Sequence, residues 1–82
     1  MVITNKELSN KYNTLSYNIK FYRKINKITQ EQLAELSDLS TSYIKQIESG
    51  KEFKNLTLNS MLKISKALNV SIDKLFEEKT NY

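Results

Sequence analysis

Residues 40–49, "STSYIKQIES", gather their polar side chains at spacings that place them on one side of a helix. At about 100° per residue, Thr41, Ser42, Lys45, Gln46 and Ser49 occupy an arc roughly 140° wide. Ile44 and Ile47 lie together on the opposite side, with Ser40 between them. The arc carries an ammonium, an amide and short hydroxyls, with no acid and no large apolar group. Those groups suit hydrogen bonding rather than bond making. A Gln amide can pair bidentately with adenine, a Lys can reach guanine acceptors, and a Thr methyl can touch thymine. Thr41, Ser42, Lys45 and Gln46 are therefore candidates for reading base edges. A solvated amphipathic helix has the same look, and composition alone does not separate the two.

The rest of the composition narrows the chemistry. The chain has no His and no Cys, which removes the commonest general base, the commonest metal ligands and any disulfide frame. No catalytic residue, metal site or cofactor is expected, nor is a small-molecule ligand site evident. At 82 residues the chain is one domain near the lower limit for folding unaided. No apolar run reaches membrane-spanning length and no signal peptide opens the sequence, so a cytoplasmic protein without a membrane partner is expected. The formal charge of +4 is unevenly placed: residues 1–30 carry six cations against one Glu, and residues 31–82 carry seven Lys against eight acids. Lys20, Lys24 and Lys27 form a stripe beside the apolar stripe of the same helix. A positive field concentrated in one third of the chain suits an anionic partner such as a phosphate backbone, although a solvated basic helix would look alike.

The elements that must position these residues are helices. The chain has no Pro and one Gly, and little strand-like alternation. An apolar residue followed by Ser or Thr, with another apolar residue four positions after that hydroxyl, occurs at Ile3-Thr4…Leu8, Ile28-Thr29…Leu33, Leu39-Ser40…Ile44, Leu56-Thr57…Met61 and Val70-Ser71…Leu75. Each hydroxyl is a candidate N-cap and each apolar pair a hydrophobic staple. Thr4 with Glu7 and Thr29 with Gln32 also form capping boxes. Gly50 and Asn69 follow the third and fourth of these helices and tolerate the left-handed conformation that closes one. The pattern predicts helices over 4–25, 29–37, 40–49, 57–68 and 71–78. The first is continuous because Leu8, Tyr12, Leu15, Ile19 and Tyr22 keep one stripe. The apolar faces predict a single small core from Leu15, Ile19, Ile28, Leu33, Ala34, Leu39, Ile44, Ile47, Leu58, Met61, Leu62, Ile64, Ala67, Leu68, Val70 and Ile72. Residues 1–13 read as a helical extension, 14–78 as the domain and 79–82 as a frayed tail.

The segment "TQEQLAELSDLSTSYIKQIESGK" (29–51) and the following "LNSMLKISKALNVSIDKLF" (58–76) resemble the phage-repressor-like, Xre-type helix-turn-helix family. The resemblance covers residues 15–76 and joins residue types, spacing and order. It implies an all-α, lambda-repressor-like bundle of five helices that binds double-stranded operator DNA, usually as a two-fold homodimer. It places Gln30 where the family touches phosphate, at a helix N-terminus that favours anions. Thr41, Ser42 and Gln46 match base-reading positions, with Lys45 beside them. Ser49, Lys51, Lys54 and Asn55 lie where the family grips the neighbouring backbone. Lys24 and Lys27 would add phosphate contacts. Tyr43 flanks the arc, where its hydroxyl reaches either a phosphate or the core. Arg23 and Glu48 match a family ion pair; the alternative is a free Arg23 meeting DNA directly. The sole Arg among thirteen cations fits a bidentate bridge.

Asp38 stands where the family usually has Gly, and Asp accepts the left-handed conformation better than most residues. The loop "KEFKN" is two residues longer than the family norm and lacks its common Pro; Phe53 within it has several possible roles. Ile72, Leu75 and Phe76 are candidates for a dimer surface, with the monomer core as the competing assignment. Among regulators, a restriction-modification controller, a phage or mobile-element repressor and a DNA-binding antitoxin remain open. From another class, a protein-interaction module built on the same bundle is the rival.

Overall fold

The computed structural model describes residues 1–53 and 55–78; the expected fray at 79–82 lies outside the described residues. Five helices follow in order among them: α1 (Asn5–Ile25), α2 (Gln30–Ser37), α3 (Thr41–Glu48), α4 (Leu58–Leu68) and α5 (Ile72–Leu75). Four of the five proposed caps are formed. Thr4, Thr29, Ser40 and Thr57 accept from the backbone N–H groups of Glu7, Gln32, Tyr43 and Ser60. Thr4 and Thr29 close the expected capping boxes, and Thr57 closes a third with Ser60. Ser71 departs from the pattern and caps no backbone N–H with its side chain. Its hydroxyl instead bonds the Asp73 carboxyl, which this bond holds below its ordinary pKa.

The helix ends explain why an apolar residue precedes each of three caps. Lys27, Asp38 and Asn69 take the left-handed conformation at φ 57°, 57° and 59°. The next residue in each case returns its N–H five residues back: Ile28 to Arg23, Leu39 to Ala34 and Val70 to Ser65. That is the Schellman closure, in which the residue after the left-handed one turns inward. Ile28, Leu39 and Val70 all pack against the core. Each thus ends one helix and stands before the cap of the next, so one side chain fixes two helix termini and the angle between them.

Buried side chains of Leu15, Ile19, Leu33, Ala34, Ile44, Ile47, Ile64, Leu68 and Leu75 form one core. Helix α2 packs on α3 and α4, while α1 lies along α3, α4 and α5. The small Ala34, 3% exposed, sits on α2 where its neighbours come close. Three expected core residues lie outside it: Leu58 is 63% and Leu62 47% exposed, and Ile72 is half-buried without joining the core cluster. Leu62 falls roughly 160° from Ile64 around the helix, so one cannot face the core if the other does.

The last helix is shorter than the span 71–78. The buried Asn18 amide of α1 donates to the carbonyls of Leu75 and Glu77, each at 2.9 Å. Phe76 has left helical geometry at φ −106°, ψ 4°. The carbonyls at this end are thus satisfied from α1 rather than by another helical turn. Leu75 is fully buried in the core of the single chain. Phe76 also packs against the core, and Ile72 is half-buried.

An ion pair ties α1 to the end of α3. Arg23 Nε donates to Glu48 Oε2 at 2.7 Å and Nη2 to Oε1 at 3.0 Å, while Nη1 donates to the Ile28 carbonyl at 2.9 Å. The Glu48 side chain is 1% exposed and that of Arg23 12%. The hydrogen bond to Glu48 raises the arginine pKa, against the opposing effect of burial.

Two stability measurements check these features. Arg23→Ala leaves the Glu48 carboxylate buried without its cation, a loss expected at about 3–5 kcal/mol. Arg23→Lys should recover only part of it, because an ammonium cannot fork across both oxygens. Urea midpoints of the three proteins test the order. At the α2–α3 corner, Asp38→Gly relieves a left-handed L-residue and should raise stability by up to about 1 kcal/mol, whereas Asp38→Val should lower it. Equal midpoints for the Gly and Val variants would contradict the assigned corner geometry.

Candidate nucleic-acid interface

Helix α3 separates its residues sharply. Ile44 is 0% and Ile47 3% exposed on the inner side. Ser42, Lys45 and Gln46 are exposed and Thr41 half-buried on the outer side. None of these four side chains hydrogen-bonds to any other described residue. Residues 42, 45 and 46 stand three and four positions apart, which makes them neighbours on one helical face. The α1 face fixes this helix from behind: the Ser16 hydroxyl donates to the Ile47 carbonyl, and Arg23 holds Glu48. A helix held at its C-terminal end and capped by Ser40 at its N-terminal end can present its outer side without rearranging.

Gln30 opens α2 and is half-buried. Its Nε2 donates to Glu48 Oε1 at 3.1 Å. The amide still has a second N–H, so the expected phosphate position remains chemically usable. Gln30 also links the first residue of α2 to the last residue of α3, a bond the sequence reading did not foresee. The Glu48 carboxylate thereby accepts from Arg23 and Gln30 together. This buried anion does not confront a phosphate as a bare charge.

Other expected backbone contacts divide. Lys24 and Lys27 are exposed, as are Lys51 and Asn55; Lys54 lies outside the described residues. Lys27 holds the left-handed position after α1. Ser49 is exposed, but its hydroxyl donates to the Gln46 carbonyl at 2.6 Å and accepts from the Lys51 N–H at 3.3 Å. Only its backbone environment, not a spare hydroxyl proton, is available there. The Tyr43 hydroxyl reaches the Asn55 carbonyl at 3.0 Å and also pairs with the Ser60 hydroxyl. Its ring meets Phe53 edge to face, with centroids 4.8 Å apart. Of the two assignments for Tyr43, packing is the one realised: its single O–H proton is taken up inside the protein. Phe53 gains a role from the same contact, as a plug between the loop and α3. The signal for both was the loop's own aromatic beside a helix aromatic, but neither spacing nor composition could say that they meet.

Among the described residues no helix is long and apolar enough to cross a membrane. A half-buried helix pair, α2–α3, with an uncommitted polar arc on its second member matches known proteins closely. Residues 19–75 match the helix-turn-helix family. The chain is 44% identical over 61 residues to the control protein C.SmaI of Serratia marcescens, covering 74% of this chain and 70% of that protein. It is 36% identical over 67 residues to the immunity repressor protein of Bacillus phage phi105, covering 82% of this chain but 45% of the repressor. The crystal structure of the restriction-modification controller protein C.AhdI from Aeromonas hydrophila aligns with a TM-score of 0.74 at 30% identity, covering 82% of this chain and 98% of that one. Capped helix pair, buried Arg–Glu tie and matched sequence together place the chain in the Xre-type helix-turn-helix family of DNA-binding regulators.

Proposed function

We propose that this protein is a sequence-specific transcriptional regulator of the restriction-modification controller type, binding a palindromic operator as a homodimer with α3 in the major groove. The observation that carries the reading is the α3 arc: Thr41, Ser42, Lys45 and Gln46 have no side-chain hydrogen bond to the described residues, on a helix whose other face is buried. Polar groups with no partner of their own, presented on a rigid element, are what base-edge recognition requires. The controller assignment draws on C.SmaI and C.AhdI, which match over most of their own lengths. The phage repressor matches over less than half of its length.

Affinity and selectivity come from different helices in this reading. Lys20, Lys24 and Lys27, with Lys51, release counterions from phosphates and carry little sequence information. The α3 arc discriminates. One module makes few base contacts, so two are expected on half-sites about one helical turn apart. With Leu75 in the core, the dimer surface is better drawn through the exposed Leu58 and Leu62 of α4, together with the half-buried Ile72 of α5. Leu58 and Leu62 stand one turn apart and present an apolar pair that no described part of the chain covers.

Duplex selection followed by titration tests the division. Gln46→Ala should relax preference at one base position by about 1–3 kcal/mol, while Lys24→Ala weakens all duplexes alike and flattens the salt slope by about 1. Indistinguishable behaviour of the two variants, or binding indifferent to salt, would defeat the proposal. For assembly, Leu58→Asp combined with Leu62→Asp should yield a monomer by sedimentation equilibrium with unchanged far-ultraviolet circular dichroism. A variant that still dimerises excludes that surface.

A further inference from the structure

We infer that the first turns of α1 brace the segment after the DNA-reading helix, and that Tyr12 is the positioning residue that sets how well this segment grips the DNA backbone. The inference rests on the functional reading above. Two parts of the chain carry it. Residues 5–14 of α1 precede both the matched region 19–75 and the first buried core residue, Leu15. The segment joining α3 to α4 is the longer loop noted in the sequence. In the folded protein these two parts meet.

The Tyr12 hydroxyl donates to the Phe53 carbonyl at 3.5 Å. A single bond at that distance is weak, but it does not act alone. Leu8, Lys11, Tyr12 and Leu15 line one side of a cleft of about 190 Å³, with Leu56 and Phe76 on the other. Asn13 Oδ1 lies 3.4 Å from the position a Cβ would take on Gly50, the residue that turns the chain out of α3 at φ +80°. Both ends of the segment, Gly50 and Leu56, thus face the extension. Its middle is held from the opposite side: the Phe53 ring packs on Tyr43, and the Asn55 carbonyl accepts from the Tyr43 hydroxyl. Phe53 is therefore clamped between an α1 contact and an α3 contact.

The extension supplies none of the buried core residues. Buried core residues begin at Leu15, and Leu8 and Tyr12 are only half-buried. What the early turns do contact is the segment bearing Lys51 and Asn55. A longer loop has more freedom to lose when it meets DNA, and holding it beforehand lowers that cost of binding.

Full-length Tyr12→Ala and Tyr12→Leu proteins test this, the second keeping apolar bulk should the first fold poorly. Without DNA, amide exchange at residues 50–56 should quicken about tenfold or more in both, while amides of Ile44, Ile64 and Leu68 keep their rates. With duplex DNA, selective and mixed sequences should both bind about three- to tenfold more weakly, and the slope of log K against log salt should fall by about 1. Tyr12→Phe, which keeps the ring and loses the hydroxyl bond to Phe53, should fall between the unmodified protein and Tyr12→Ala. Unchanged exchange in the segment overturns the brace. Unaltered affinity and salt slope in a variant whose exchange has quickened overturn its part in DNA grip. An unmodified protein that holds no duplex at all sinks the functional reading and the grip with it, while exchange still decides the brace.

Discussion

The carboxylate of Glu48 is the constraint on which the recognition surface depends. It lies at the end of α3, 1% exposed, beside the face proposed to meet a polyanion. A negative charge there opposes both burial and the negative end of the helix dipole. It persists because three donors surround it: two from the Arg23 fork and one from Gln30. Those donors belong to α1 and α2, so satisfying one buried charge fixes both helices against the end of the third. The geometry explains why the chain uses its single Arg at this point. A lysine would neutralise the charge without setting an angle.

Much of this fold was legible because it is local. Caps, capping boxes and left-handed closures depend on residues within five positions of one another, and Thr4, Thr29, Ser40, Asp38 and Asn69 all behave as their types and places require. Ser71 misled because an acceptor two residues on, Asp73, competes for its hydroxyl. The end of α5 misled for a different reason. Its length is decided by Asn18, more than fifty residues away in sequence, and no local pattern reveals that an amide on α1 will take the Leu75 and Glu77 carbonyls. Leu58 and Leu62 were assigned to the core on hydrophobicity, although their angular offset from Ile64 already placed them elsewhere.

The site divides the same way. Which side of α3 faces out followed from helical phase, and Ser42, Lys45 and Gln46 are exposed as that phase requires. Whether an outward polar group is also uncommitted is a tertiary fact. Ser49 and Tyr43 look as available as Gln46 in the sequence, yet both hydroxyls are engaged with backbone carbonyls of the protein itself. The Gln30–Glu48 bond joins residues eighteen positions apart and emerged only once α2 and α3 were set at their angle.

This arrangement separates the source of attraction from the source of choice. The α3 arc carries one ammonium and otherwise neutral donors and acceptors, so on the proposed reading a wrong base pair loses hydrogen bonds while the electrostatic pull remains nearly the same. Of the lysines proposed to attract any duplex, Lys20 and Lys24 lie on α1, which the Arg23–Glu48 tie holds in a fixed relation to the arc. Because that tie is buried, salt that screens the exposed lysines leaves it largely intact. On the proposed reading, changing ionic strength alters how strongly the protein is drawn to DNA, without altering the face it presents on arrival.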